Sequence, residues 1–296
     1  MKLLTFTALA FAAPFAMMAQ TVVFSDNFAT DASLASPPWF NMNNTSAASF
    51  ALNPSPGQGL ALTVSAGTGK VNEEFAQFSP TPITLVTVGD SLTLTVNFNS
   101  ADVAANTGGL LAGFYNTQGT LATGTLLGTA TGGATADDTG YFGIMGFNTS
   151  AGTSSKFYSR QGGVSDANEL GYYSSMTGSS YTQIGTFPAN GNGTIANNLA
   201  YTLNYTVTKG AAGNTVTAVI TQGATQVDSW TSTDAAGLYN SFDEIDFGSY
   251  GKNALVDLNI TQLQVADNIQ VVPEPSTIAL GSLAALLLTA CRRVRR

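Results

Sequence analysis

Hydrophobic and polar residues alternate along long stretches of this chain. Over residues 91–98, Leu92, Leu94, Val96 and Phe98 interleave with Thr93, Thr95 and Asn97. Residues 201–208 repeat the pattern, with Tyr201, Leu203, Tyr205 and Val207 opposite Thr202, Asn204, Thr206 and Thr208. A period of two sends successive side chains to opposite faces, so both stretches predict half-buried antiparallel strands with a Thr/Asn wet face. A glycine-containing turn at 209–214 leads into a strand over 215–221, and Gln222-Gly223-Ala224 leads into another. Residues 201–230 thus predict a three-stranded meander. Further strands are predicted at 21–24, 60–65, 74–78, 110–115, 141–147, 156–160, 244–247 and 254–265. In the last of these the apolar phase shifts between Ile260 and Leu263, which calls for a bulge. Residues 233–240 are assigned one or two helical turns. Many short strands parted by Gly, Asn and Ser, with no Pro/Ser linker between them, predict an all-β fold: a single antiparallel jelly-roll-like β-sandwich over 20–271.

The two ends break the pattern. Lys2 and an apolar run over 3–15, followed by small residues, predict a signal peptide over 1–19 with cleavage before Gln20. At the other end Pro273-Glu274-Pro275 is followed by Ser276, an apolar run over 277–291 and the cluster Arg292-Arg293-Val294-Arg295-Arg296. The two prolines end any strand, and Ser276 can cap a helix starting after them. Fifteen residues would make a helix of roughly 22 Å, against a hydrocarbon core of roughly 30 Å. The prediction is a short C-terminal transmembrane helix, with arginines held on the cytoplasmic side and the domain outside.

In motif, helix and Arg cluster, residues 272–296 resemble the PEP-CTERM sorting signal of Gram-negative bacteria. The resemblance implies an exosortase as partner during sorting, with Pro273, Glu274 and Pro275 as its recognition residues. It also implies transient anchoring in the inner membrane, release to the cell surface or extracellular matrix, and a setting of exopolysaccharide and biofilm.

Composition narrows the chemistry. The charged fraction is 9% and the apolar fraction 44%, enough to bury a core. Between residues 20 and 271 five basic residues face seventeen acidic ones, and five minus seventeen gives −12. Such a surface repels phosphate backbones, so nucleic acid is not an expected partner. The chain has no histidine, which removes His-based triads and most catalytic zinc sites. Its one cysteine, Cys291, lies in the tail, so the domain has no disulfide.

The segments Phe24-Ser25-Asp26-Asn27-Phe28 and Gly89-Asp90-Ser91-Leu92-Thr93, with a closing apolar strand, resemble the concanavalin-like, laminin-G-type jelly roll. That resemblance implies a curved sheet whose concave face holds carbohydrate. Within it, Glu244-Ile245-Asp246-Phe247-Gly248-Ser249 is similar to the Glu-x-Asp-x-x-Glu strand of laminarinase-type glycoside hydrolases. There the first Glu is the nucleophile and the last the acid/base, a place occupied here by Ser249. Retaining hydrolysis needs two carboxylates, so the expectation is a non-enzyme, with Glu244 and Asp246 on a solvent-facing acidic strand and Asp243 on the opposite face. A degraded hydrolase and a purely structural coat protein are the alternatives. No cofactor is expected; a structural calcium would draw on Asp26, Asn27, Asp137, Asp138, Asp257 or Asp267, of which Asp137-Asp138 read better as a turn. Sugar-stacking rings are sought at Trp39, Trp230, Tyr172 and Tyr173. Trp230 reads as core, and Tyr172 and Tyr173, in a polar loop, are the ligand-contacting residues of choice, with exopolysaccharide the expected ligand class.

Overall fold

The computed structural model describes residues 20–28, 39–43, 49–52, 59–64, 70–101, 108–120, 126–127, 137–146, 155–162, 181–187, 195–251 and 256–269. The signal peptide, the sorting tail with Pro273, Glu274 and Pro275, and the Tyr172-Tyr173 pair lie outside these residues. Among the described residues no helix is long and apolar enough to cross a membrane.

The described chain is built from strands β1 (Thr21–Asp26), β2 (Trp39–Asn43), β3 (Ser49–Leu52), β4 (Leu60–Val64), β5 (Lys70–Gln77), β6 (Ile83–Thr84), β7 (Ser91–Ser100), β8 (Gly109–Asn116) and β9 (Leu126–Leu127). It continues with β10 (Thr139–Gly146), β11 (Lys156–Arg160), β12 (Tyr181–Thr186), β13 (Tyr201–Gly210), β14 (Gly213–Gln222), β15 (Thr225–Asp234), β16 (Ser241–Phe242), β17 (Glu244–Gly251) and β18 (Val256–Asn268). Sheet I runs β15-β14-β13-β7-β18-β4-β3, with β1 also on β18; sheet II runs β12-β11-β10-β8-β17-β5-β2-β9. Apart from the short parallel β2–β9 pair, the pairings in these sheets are antiparallel. The two sheets bury one core between them, to which Leu94, Phe98, Tyr205 and Ile260 contribute from sheet I and Phe114, Tyr141, Ile245 and Phe247 from sheet II. The fold is therefore the antiparallel jelly-roll sandwich that the alternation predicts, with Trp230 buried in its core.

Local details follow from identifiable residues. The β13–β14–β15 meander forms as predicted, and β18 carries its register shift between Ile260 and Gln262. The expected helical turns at 233–240 are absent. The Asp234 carboxylate instead accepts the Ala236 and Leu238 N–H groups, and Gly237 sits at φ 56°. An Asp side chain that captures the next free N–H groups competes with the helical ladder, and a left-handed residue ends it.

Across sheet I the register lines up the outward side chains in rows. One row reads Asn268, Ser91, Thr208, Thr215, Thr233, and the next Ala266, Thr93, Thr206, Thr217, Thr231. A third reads Gln264, Thr95, Asn204, Val219, Ser229. Apart from Ala266 these side chains are half-buried or exposed.

Candidate functional site

The outward rows of sheet II hold different chemistry. One row reads Tyr181, Arg160, Gly140, Tyr115, Glu244, Gln77 across β12 to β5. The adjoining row holds Tyr158, Phe142, Gly113, Asp246 and Phe75, and the next places Glu73 beside Gly248. Asp138, just ahead of β10, extends the same side. A Cβ at Gly113 would stand 2.7 Å from the Tyr115 ring, and one at Gly248 would stand 2.7 Å from the Glu73 side chain. The glycines thus leave the space into which Tyr115 and Glu73 fold.

This face is covered. Glu73, Glu244, Asp246 and Tyr115 are 0% exposed, and Asp138 and Arg160 are 1% and 2% exposed. The solvent-facing acidic strand expected at Glu244 and Asp246 is thus overturned. The two do share one face, as strand alternation requires, but that face is buried. Burial is the largest influence on the Glu244 carboxyl and raises its pKa well above the ordinary range; Asp138, Asp243 and Asp246 push the same way and Arg160 opposes them. Burial likewise raises Asp246, with the neighbouring Glu73 carboxyl acting in the other direction. Asp138 is raised to about 7, by burial first, against the pull of Arg160. Among the described residues neither oxygen of Glu244 nor of Asp138 has a hydrogen-bond partner. Carboxyls this deep lower the cost of burial by holding their protons.

Among the described residues Arg160 is the cation that acts on the cluster. Its Nη1 donates to the Asp138 carbonyl oxygen at 2.7 Å, and its guanidinium lies 5.8 Å from the centre of the Tyr181 ring. Tyr115 stays firmly in its phenol form, its pKa raised first by burial and then by Tyr181.

Other residues singled out in the sequence fall elsewhere. Ser249 pairs with Asn72 and Leu110 on the core-facing side of β17, in continuous register. No bulge turns it toward Glu244, so it stands outside the acidic row. Asp243 precedes β17, is 2% exposed, and accepts hydrogen bonds from the Thr117 N–H and hydroxyl, both at 2.9 Å. Trp39 is no sugar platform. It is buried between Phe24 and Phe28, and its Nε1 donates to Asp26 Oδ2 at 2.7 Å while Phe28 N–H donates to Oδ1. Both Asp26 oxygens are thereby engaged in a local staple rather than offered to a cation. Among the described residues no group of three or more metal-ligating side chains forms. Asp138 follows the turn residue Asp137 and is buried, its backbone carbonyl accepting from Arg160.

Glu73, Arg160 and Tyr115 were not singled out by sequence reasoning. Two signals pointed to the first two. Adjacent carboxylates in a strand, Glu73-Glu74, must send one acid to each face, and Arg160 is the lone arginine upstream of the terminal cluster.

No protein-family model matches the chain, and no curated protein matches it. Among solved structures it is similar to the VIP36 exoplasmic/lumenal domain in its Ca2+/Man-bound form, at 12% identity and a TM-score of 0.47, over 87% of this chain and 94% of that one. Peanut lectin aligns at 10% identity and 0.44, over 84% and 98%. A carbohydrate esterase of a Shiga toxin-encoding bacteriophage aligns at 14% and 0.41, over 84% and 100%. Likeness at this level concerns chain architecture and carries no argument about ligand or chemistry.

Proposed function

We propose that this chain is an exported, surface-sorted envelope or extracellular-matrix protein that binds polysaccharide and catalyses nothing. The ends of the sequence support the export and sorting. The observation that carries the non-catalytic reading is the state of the acidic row. Glu244 and Asp246 are buried and held toward the protonated form, and the position an acid/base would occupy is a core-facing serine. A nucleophilic carboxylate has to be ionised and reachable, and a polymer reaches neither of these. In the test, the purified protein releases no reducing sugar from laminarin or mixed-linkage glucan, yet is depleted from solution by a polysaccharide. Release that disappears in Glu244→Gln would overturn the reading.

Sorting is tested separately. Glu274→Ala should leave export intact and block tail processing, so that full-length protein accumulates in the membrane fraction; normal maturation would refute the exosortase assignment.

One observation favours a glycan hydrolase instead. Glu73 supplies, from the neighbouring strand, a second carboxyl beside Asp246 that the linear motif lacks. A retaining pair stands about 5 Å apart across a scissile bond that must reach both carboxyls, whereas both of these are buried. Loss of activity in Glu73→Gln, in a protein that proved active, would establish that alternative.

A further inference from the structure

The outer face of sheet I takes no part in the acidic cluster, and its chemistry is unusually uniform. From β18 past its bulge to β15, the three outward rows contain no charged side chain, in a protein of net charge −8. On this side the carboxylate of Asp257 lies beyond the bulge, toward β4. The hydroxyls and amides are ordered across the strands. Thr93 and Thr206 hydroxyls meet at 3.0 Å, Thr95 donates to Asn204 at 2.8 Å, and Thr202 donates to Asn97 at 2.8 Å. Asn97 passes the chain on to Gln262 at 3.2 Å. Further out, Thr217 and Thr231 meet at 3.3 Å and Thr215 and Thr233 at 3.4 Å.

Three consequences follow. Interlocked polar groups have few rotamers left to lose, so docking a flat, hydroxyl-rich partner costs little ordering entropy. A strand spacing of about 4.8 Å and a same-face repeat of about 6.7 Å make the array periodic in two directions. The lack of charge leaves no electrostatic complement for an anionic polymer or a basic protein. A second copy is also a poor occupant: among the described residues the three rows offer only Ala266 and Val219 as apolar side chains, with Val22 of β1 beside Ala266, far short of the apolar centre a stable interface needs. From this face we infer that sheet I is the docking surface for a neutral polysaccharide lying across its strands. This inference rests on the polysaccharide-binding reading above and gives it a place and a ligand class.

The face has no aromatic platform, so each sugar contributes little and binding depends on many contacts along a polymer. The full chain, kept soluble in mild detergent, is mixed with suspended cellulose, chitin or curdlan, and the fraction left in solution is measured. The wild-type protein should be depleted by at least one of these, equally in dilute buffer and in molar sodium chloride. Short oligosaccharides of the same sugar should compete at least about a hundredfold more weakly per sugar. Thr206→Lys sets a charge in the middle of the face and should weaken binding at least about tenfold. Thr206→Val keeps the branched strand-forming shape, removes only the hydroxyl, and should weaken it about threefold. Glu244→Gln, on the other sheet, should bind as wild type. Retention of full binding by both Thr206 variants, sensitivity to salt, or loss in Glu244→Gln would overturn the sheet I assignment while leaving polysaccharide binding in place. A wild-type protein that binds none of the polymers would overturn both.

Discussion

On sheet I the outward positions of five adjacent strands carry hydroxyls and amides, half exposed and bonded to one another. On sheet II the outward positions carry carboxyls, phenols, an arginine and phenylalanines, and they are buried. Both faces arise from the same two-residue alternation, so strand geometry alone does not separate them. What separates them is solvation. Neutral hydroxyls paired across strands can stay half wet at little cost. Carboxyls taken out of water must find a cation or keep a proton, and here Arg160 opposes the rise at Asp138 and Glu244, while burial holds Asp246 toward its protonated form. Sheet II therefore has a second, polar interior whose stability depends on charge state, whereas sheet I has a surface whose stability does not.

The sharpest way to break this contrast is to remove the cation. Arg160→Met keeps much of the apolar stem but leaves Asp138 and Glu244 with no positive charge beside them. Losing the guanidinium leaves the buried Asp138 carbonyl without its donor, which costs about 1–3 kcal/mol. Urea denaturation should register a loss in that range, against a small change for Lys209→Met, whose ammonium donates to Asn240 at the end of sheet I. Equal, small losses at both positions would mean that the sheet II cluster is not held by charge.

The same contrast explains what the sequence reveals. In β7, β13 and β14 apolar and polar residues alternate, and the structure alternates buried with half-buried positions accordingly. In β8 and β10 the alternation fails: Leu110-Leu111, Phe114-Tyr115, Tyr141-Phe142 and Ile144-Met145 are neighbours, and both strands are buried almost throughout. Loss of alternation in a strand is the signature of two buried faces, and it marks sheet II as covered on its outer side. The fold, the meander and the β18 bulge were thus legible from periodicity. The acidic row was legible only in part. The motif at Glu244 and Asp246 stands in one strand, but its partners come from β5, from β11 and from the segment ahead of β10, a pairing that register settles and linear spacing does not. Trp39 was misread for a related reason: its partner, Asp26, is 13 residues away.

A second prediction sharpens the comparison through pH. A carboxyl whose pKa is raised by folding binds its proton more tightly in the folded state. Its contribution to stability is therefore fully present below its unfolded value and is lost as pH rises through its folded value. For Asp138 that window runs from 3.8 to about 7; Glu244 and Asp246 are raised in the same direction. Each such group forfeits about 1.4 kcal/mol per pH unit within its window. Thermal unfolding should show Tm falling from pH 4 to pH 8, and the double variant Glu244→Gln/Asp246→Asn should flatten that slope. A Tm that rises with pH over this range would contradict the protonated cluster.

The smallest expected effect lies on sheet I. Thr93 and Thr206 face each other directly on β7 and β13, with their hydroxyls 3.0 Å apart. Replacing either by Val removes one hydroxyl and keeps the branched side chain that suits a strand. The loss of the hydrogen bond is offset by a methyl on a half-buried surface, so each single variant should stay within about 0.5 kcal/mol of wild type. The coupling between the two, from a double-mutant cycle, should be about 0.2–1 kcal/mol, the ordinary worth of a cross-strand pair. Neither variant adds or removes a charge, so the same small values should be found at pH 4 and at pH 8. This invariance separates the faces. If the cycle energy at Thr93 and Thr206 moved with pH as the Glu244 and Asp246 variants are expected to, the outer face of sheet I would be coupled to the carboxyl cluster across the core, and the division into a polar interior and an inert lattice of hydroxyls would fail.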